Sequence, residues 1–149
     1  MYDTKIKAAR EINVPAAEVW NLLTNPYKIP LFMPSLIENT NIPKLPLKPG
    51  SKFNYKYQMF GIILEGELTV SKFEPTKNYK FVTNGDAESE WNYTLKEKNG
   101  KTLVQLAVSY KPPKNVLDKV KGSILTKMNQ KEAELFLENM KILLETQNE

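Results

Sequence analysis

The sequence predicts an α+β domain in which a curved antiparallel sheet of about seven strands wraps around a long C-terminal helix. Three observations support this fold class. Apolar and polar residues alternate between residues 51 and 111, as in half-buried antiparallel strands. After Pro112 and Pro113, apolar residues recur at helical spacing. The chain has 149 residues with no repeat and no break in composition, so we expect one domain over residues 1–149.

Two short helices are predicted between the first and second strands. The first strand is predicted over residues 2–12, and alternation places Ile6, Ala8, Arg10 and Ile12 on one of its faces. Pro15 suits the first turn of a helix, and the apolar residues Val19, Leu22 and Leu23 follow it. A second helix is predicted over residues 27–33, interrupted by Pro30 and ended by Pro34.

Turn residues and alternation together predict the pairing of the later strands. A tight turn at Phe60-Gly61 sets Tyr55 over Gly66 and pairs Lys56 with Glu65. Asn99-Gly100 is a strong hairpin signal that pairs Leu95 with Val104, Tyr93 with Leu106, and Trp91 with Val108. A three-residue loop at Asn84-Gly85-Asp86 is predicted to pair Phe81 with Ser89 and Tyr79 with Trp91.

A single helix of about thirty residues is predicted after the two prolines. Its apolar stripe consists of Val116, Leu117, Val120, Ile124, Leu125, Met128, Leu135, Phe136, Met140, Leu143 and Leu144. Residues 111–131 carry a net charge of +5 and residues 132–149 carry −4. The Lys-rich start of this helix suits peripheral contact with anionic lipid head groups or an acidic partner, whereas most such runs are simply solvated.

The composition excludes several classes of active site. The chain has no cysteine and no histidine, so thiolate chemistry, imidazole bases and the usual zinc sites are ruled out. We therefore expect no metal and no cofactor. The net charge is +4, but Arg10 is the only arginine. Because sequence-specific contacts to bases rely largely on arginine, we expect no nucleic-acid partner. We find no transmembrane segment and no signal peptide, so a cytoplasmic location is expected.

The order of short motifs along the chain resembles the START-like helix-grip superfamily, also called SRPBCC. The motifs are Val14-Pro15-Ala16-Ala17-Glu18-Val19-Trp20, Asn25-Pro26, Pro34-Ser35-Leu36-Ile37, Pro49-Gly50-Ser51 and Tyr110-Lys111-Pro112-Pro113. The chain looks most similar to the members labelled polyketide cyclase or dehydrase. The resemblance implies a cavity between the bent sheet and the long helix, open toward the short helices. Members bind lipids, sterols, hormones or polyketides there; a minority are cyclases or dehydratases, and some are co-chaperones.

One face of the predicted sheet is rich in aromatic residues, which form either a packed core or the wall of a ligand site. If a ligand binds, the predicted wall comprises Phe53, Tyr55, Tyr57, Leu64, Phe81, Trp91, Tyr93, Leu106, Val108, Leu125 and Met128. Arg10 and Tyr110 are candidate polar contacts, and Leu31, Phe32 and Met33 are predicted to form a movable rim. No catalytic residue is assigned. The carboxylates Glu65, Glu67, Glu88 and Glu90 fall on the opposite, solvated face.

Three functions remain open from the sequence. The first is a carrier or sensor that binds a small apolar, lipid- or polyketide-like ligand, as a monomer or weak dimer. The second is a cyclase or dehydratase that uses tyrosine phenols and pocket shape, although the lack of histidine and cysteine counts against an enzyme. The third is a co-chaperone or membrane-adaptor protein.

Overall fold

The computed structural model describes residues 2–147 of the chain. Its strands are β1 (Thr4–Ile12), β2 (Leu36–Thr40), β3 (Lys52–Met59), β4 (Ile62–Glu74), β5 (Asn78–Thr83), β6 (Glu88–Lys98) and β7 (Lys101–Lys111). Its helices are α1 (Ala16–Leu23), α2 (Lys114–Leu117) and α3 (Gly122–Gln147). The predicted second helix over residues 27–33 is only a 3₁₀ turn, Ile29–Leu31, because Pro30 removes a backbone donor.

The strands form one antiparallel sheet of seven strands in the order β1-β7-β6-β5-β4-β3-β2. Strands β2 to β7 follow one another as a meander, and β1 pairs with the far side of β7. The register shifts between Leu36 and Glu38 and between Val70 and Lys72. Shifts of this kind bend a sheet. The curved sheet and the long C-terminal helix confirm the predicted fold class.

The predicted registers of two hairpins are confirmed. Tyr55 pairs with Gly66, and Lys56 pairs with Glu65, whose charged atoms lie 3.9 Å apart. In the last hairpin Tyr93 pairs with Leu106. Asn99 and Gly100 form its turn, both with positive φ, as a tight hairpin turn requires.

The register predicted for β5 and β6 is wrong by two residues. Phe81 pairs with Trp91 rather than Ser89, and Tyr79 pairs with Tyr93 rather than Trp91. The connection is longer than predicted because the backbone of Asn84 and Asp86 bonds back to β4 instead of closing a tight turn. Since the slip is an even number of residues, the same side chains still share a face.

The predicted single helix is broken between residues 117 and 122. A short α2 buries Val116, and α3 begins anew at Gly122, a residue type that disfavours helix interiors. The predicted apolar stripe also divides between two faces of α3. Its inward face includes Leu125, Phe136, Met140 and Leu144, whereas Ile124, Met128 and Leu135 are exposed.

Side chains of α3 cover the open edge of β1. The Gln130 amide accepts a hydrogen bond from the Lys7 backbone N–H at 3.3 Å and donates one to the Lys7 carbonyl. Near the end of the helix, Glu145 accepts hydrogen bonds from Lys141 and from the Asn13 backbone N–H. These bonds, that from Lys141 foremost, lower the pKa of the Glu145 carboxyl. The edge strand is thereby held against the helix, which protects it from pairing with another chain.

Helix α1 is fixed at the far end of the sheet. Pro15 is its N-cap, and the Glu97 side chain from β6 accepts a hydrogen bond from the Ala16 N–H at 2.7 Å. The indole of Trp20 packs edge-on against Phe73 and Tyr79. Within the described residues, no helix combines the length and apolar character needed to cross a bilayer.

Candidate functional site: a cavity between the sheet and the long helix

A partly open cavity of about 140 Å³ lies between the concave face of the sheet and α3. Most of its lining is apolar, and α3 contributes Asn129, Glu132, Ala133 and Phe136. An engineered apolar cavity of roughly 150 Å³ stays dry and binds benzene. The space is therefore sufficient for one ring-sized apolar group.

Aromatic rings from β5 and β6 form one wall of the cavity. Phe81 and Trp91 stack with their ring centroids 5.6 Å apart, and Tyr79 and Tyr93 stack at 6.5 Å. The Trp91 indole N–H donates to Ser89 Oγ at 2.9 Å, which fixes the ring against the sheet. These positions are inward-facing because of the alternation along the strands.

Most of the predicted wall residues do line this cavity. They are Phe53, Tyr55, Tyr57, Leu64, Phe81, Trp91, Tyr93 and Val108, together with Tyr110 as a predicted polar contact and Met33 from the predicted rim. The arrangement therefore brings together the aromatic set that the sequence placed on one face. Their contact with a ligand stays a prediction.

Three predicted wall residues do not border the cavity. Leu106 is on the correct face but is packed in the core. Leu125 is fully buried outside the cavity lining, and the Met128 side chain is 44% exposed. Met128 lies outside the lining because the polar residues Asn129 and Glu132 take the inward positions of the helix.

Arg10 and most of the predicted rim also lie elsewhere. Arg10 forms an ion pair with Glu138 of α3 at 2.6 Å and is outside the cavity lining. Leu31 is 62% exposed, and Phe32 is completely buried in the core. The neighbouring residues Pro26, Ile29 and Met33 border the cavity instead. In a 3₁₀ turn the side chains point in directions that differ from those of the predicted helix.

Glu132 is the main feature that the sequence prediction missed. Its Oε1 atom accepts a hydrogen bond from the Tyr57 hydroxyl at 3.1 Å and another from Ser35 Oγ. It follows Asn129 by three residues, so both side chains share one face of α3. A search for polar residues in phase with the buried positions Leu125, Ala133 and Phe136 would have found both.

Other polar groups of the lining are mostly bonded to one another. Asn129 is buried, and its Nδ2 donates to the Tyr110 hydroxyl at 2.9 Å. Glu88, predicted on the opposite face, borders the cavity at the start of β6 and lies 3.8 Å from the ammonium group of Lys111. Glu88 can border the cavity because it is the first residue of β6, at the end of the strand.

Burial raises the pKa of the cavity phenols above that of a free tyrosine. Desolvation raises the pKa of Tyr79 and of Tyr93. It also raises the pKa of Tyr57, to which the negative charge of Glu132 adds. The pKa of Tyr55 is raised by burial to a smaller degree, since a hydrogen bond to Ala87 opposes the effect. The shifts extend the pH range over which the four phenols stay protonated. Among residues 2–147, no group of three carboxylates is placed to hold a metal ion.

Comparison with known families identifies the chain. Residues 3–145 match the family model described as polyketide cyclase / dehydrase and lipid transport. The chain belongs to this family. Its membership confirms the resemblance noted from the motifs and supports a role in binding or cyclising hydrophobic ligands. None of the curated proteins matches the chain significantly.

Solved structures show that the family fold is shared at low sequence identity. TTHA0849 from Thermus thermophilus has a TM-score of 0.80 and 13% identity, over 97% of this chain and 99% of that one. A START superfamily protein from Mycobacterium smegmatis has a TM-score of 0.78 and 12% identity, over 95% and 97%. DynU16, from the dynemicin biosynthetic locus, has a TM-score of 0.68 and 19% identity, over 97% of this chain but 48% of that one.

Proposed function

We propose that this family member binds a small hydrophobic ligand, lipid- or polyketide-like, in the cavity between the sheet and α3, as a carrier or sensor. The observation that supports this proposal is the aromatic-lined cavity itself, which is partly open to solvent. Small-molecule sites have this composition, an apolar wall with a few placed polar groups.

The size of the cavity limits how a ligand fits. About 140 Å³ accommodates one ring or a short chain, so a longer ligand extends through the opening. The segment that carries Pro26, Ile29 and Met33 borders the space. Its backbone hydrogen bonds are nearly all made within the segment itself, as from Phe32 N–H to Ile29 O, so the segment can shift as a unit, and we propose it as the movable rim.

A cavity-filling variant tests this function. Ala133 lies in the wall on α3, so Ala133→Met places additional carbon atoms in the space without adding charge. Ala107→Met is the matched control, because Ala107 lies on β7 outside the lining. We expect 4-phenylbutan-1-ol to bind saturably to the wild type and to Ala107→Met in calorimetric titrations, and at least tenfold more weakly to Ala133→Met. Equal affinity for all three proteins would contradict binding in this cavity.

An enzymatic function is a second candidate, favoured by the Glu132–Tyr57 pair. A carboxylate can remove a proton from carbon next to a carbonyl group, and a protonated phenol can donate to the oxygen that becomes negative. Such a pair would serve an aldol-type cyclisation. Incubating a linear poly-β-ketone with the wild type and with Glu132→Gln tests this function. Faster cyclisation by the wild type alone would support it, whereas equal rates would exclude a role for Glu132.

A further inference from the structure

We propose that the cavity selects apolar amines over apolar carboxylic acids, with Glu132 as the residue that receives the ammonium group. This inference rests on the proposed ligand-binding function and adds a chemical class to it. It depends on which atoms of the polar groups remain free.

One oxygen of Glu132 has no protein partner. The hydrogen bonds from Ser35 and Tyr57 both reach Oε1. Neither of them uses Oε2, and no further bond to Glu132 occurs within residues 2–147. Because the side chain is only half-buried, an ammonium group can reach Oε2 without complete loss of water.

A second group points to a polar ligand at the same place. The Tyr93 side chain is 1% exposed and lines the cavity, so its phenol faces the space that a ligand would fill. It is close enough to Tyr57 for a charge on one phenol to affect the other. A polar group of a ligand in the cavity can therefore exchange a hydrogen bond with this phenol as well as with Glu132.

The charges of the lining favour a cation. Three described lining residues are charged: Glu88, Lys111 and Glu132. Lys111 and Glu88 lie 3.8 Å apart and largely compensate each other. Arg10, the only guanidinium in the chain, is paired with Glu138 outside the cavity. Glu132 is therefore the uncompensated charge of the described lining, and a carboxylate ligand would be repelled by it.

The long-range field of the protein acts in the opposite direction. The chain carries a net charge of +4 at pH 7, which attracts anions in general. A preference for the amine would therefore arise from local contacts. Charge-assisted hydrogen bonds of this kind are among the stronger polar interactions.

Three ligands with the same body test the inference: 4-phenylbutylamine, 4-phenylbutan-1-ol and 4-phenylbutyrate. Affinities are measured by calorimetry at pH 7 for the wild type, Glu132→Gln and Glu134→Gln. Glu134 is the matched control, since it is exposed on the same helix and bonded to Gln130. Glu132→Gln retains an acceptor oxygen for Ser35 and Tyr57, and circular dichroism checks that it is folded.

We expect the wild type and Glu134→Gln to bind the amine at least tenfold more tightly than the carboxylate. In Glu132→Gln the two affinities should become similar. Equal affinities of the wild type for amine and carboxylate would overturn the inference, as would an amine-to-carboxylate affinity ratio that is unchanged in a folded Glu132→Gln. In either case, binding of the alcohol would still support the cavity as a ligand site. If none of the three ligands binds to the wild type, the proposed function itself fails.

Discussion

Tyr55 lies over Gly66 in the pairing of β3 with β4, and its hydroxyl donates a hydrogen bond to the carbonyl oxygen of Asn84 at 2.5 Å. The same hydroxyl accepts a hydrogen bond from the Ala87 N–H at 3.0 Å. One side chain thus ties the loop between β5 and β6 to the centre of the β3–β4 hairpin. The glycine is required because it leaves room for the ring and for the Asn84 carbonyl.

Gly66→Ala is predicted to destabilise the fold. The new Cβ would lie 2.0 Å from the Asn84 carbonyl oxygen and 2.9 Å from Cε2 of Tyr55, so backbone has to move. We expect a loss of about 3 kcal/mol, which lowers the melting temperature by roughly 6–12 °C. Gly122→Ala is the control, since its Cβ would meet only Leu117 Cδ2 at 3.8 Å. Equal melting temperatures for both variants would contradict the packing described for Tyr55.

Charge placed in the cavity wall should weaken binding, whereas charge on the outer face of α3 should not. Met59 lines the cavity and Met128 is exposed outside it. Met59→Glu is expected to bind 4-phenylbutan-1-ol at least tenfold more weakly, because a carboxylate in an apolar wall opposes an apolar ligand. Met128→Glu should retain wild-type affinity in the same calorimetric titration. The opposite result would show that α3 is rotated relative to the sheet.

Stability should fall above about pH 10 because of the buried phenols. The folded state raises the pKa of Tyr57, so at high pH it holds a proton that the unfolded chain has released. The contribution of this phenol to stability is complete below the pKa that it has in the unfolded chain. It is lost as the pH rises toward the higher pKa of the folded state. In urea unfolding between pH 9 and 11, the wild type should lose up to about 1.4 kcal/mol per pH unit more than Tyr57→Phe.

Tyr27→Phe serves as the control for the alkaline titration, because Tyr27 is 67% exposed. It should lose stability with the same slope as the wild type. If Tyr57→Phe also follows the wild-type slope, the Tyr57 phenol is not buried as described.

Removing the Arg10 charge should have little effect. The Arg10 and Glu138 side chains are 46% and 38% exposed, and ion pairs at such positions contribute at most about 1 kcal/mol. Arg10→Gln is therefore expected to lower the free energy of unfolding by less than this and to leave the affinity for 4-phenylbutan-1-ol unchanged. A loss of affinity would indicate that Arg10 contacts the ligand, as predicted from the sequence.

The strand registers were largely predictable because a correct pairing has to match the side chains on both faces of the sheet. Pairing Lys56 with Glu65 on one face forces Tyr55 onto Gly66 on the other. The β5–β6 connection escaped prediction because its length depends on backbone bonds from Asn84 and Asp86 to the neighbouring strand, which leave no local sequence signal.

The cavity wall was predictable on the sheet but not on the helix. Strand alternation assigns Phe81 and Trp91 to one face without further information. On α3 an apolar-only rule selected Met128, whereas the cavity receives the polar Asn129 and Glu132. A polar residue in the cavity wall interrupts the apolar periodicity that was used to predict the wall. For this reason the prediction missed Glu132, the residue with the most informative chemistry.

Methyl NMR locates the ligand most directly, because methionines stand both inside and outside the proposed site. Met33 and Met59 line the cavity, whereas Met128 is exposed on the outer face of α3. In protein labelled at the methionine methyl groups, titration with 4-phenylbutan-1-ol should shift the Met33 and Met59 resonances saturably and leave that of Met128 unchanged. Shifts confined to Met128, or no shift of Met33 and Met59 at a saturating concentration, would contradict a ligand site between the sheet and α3.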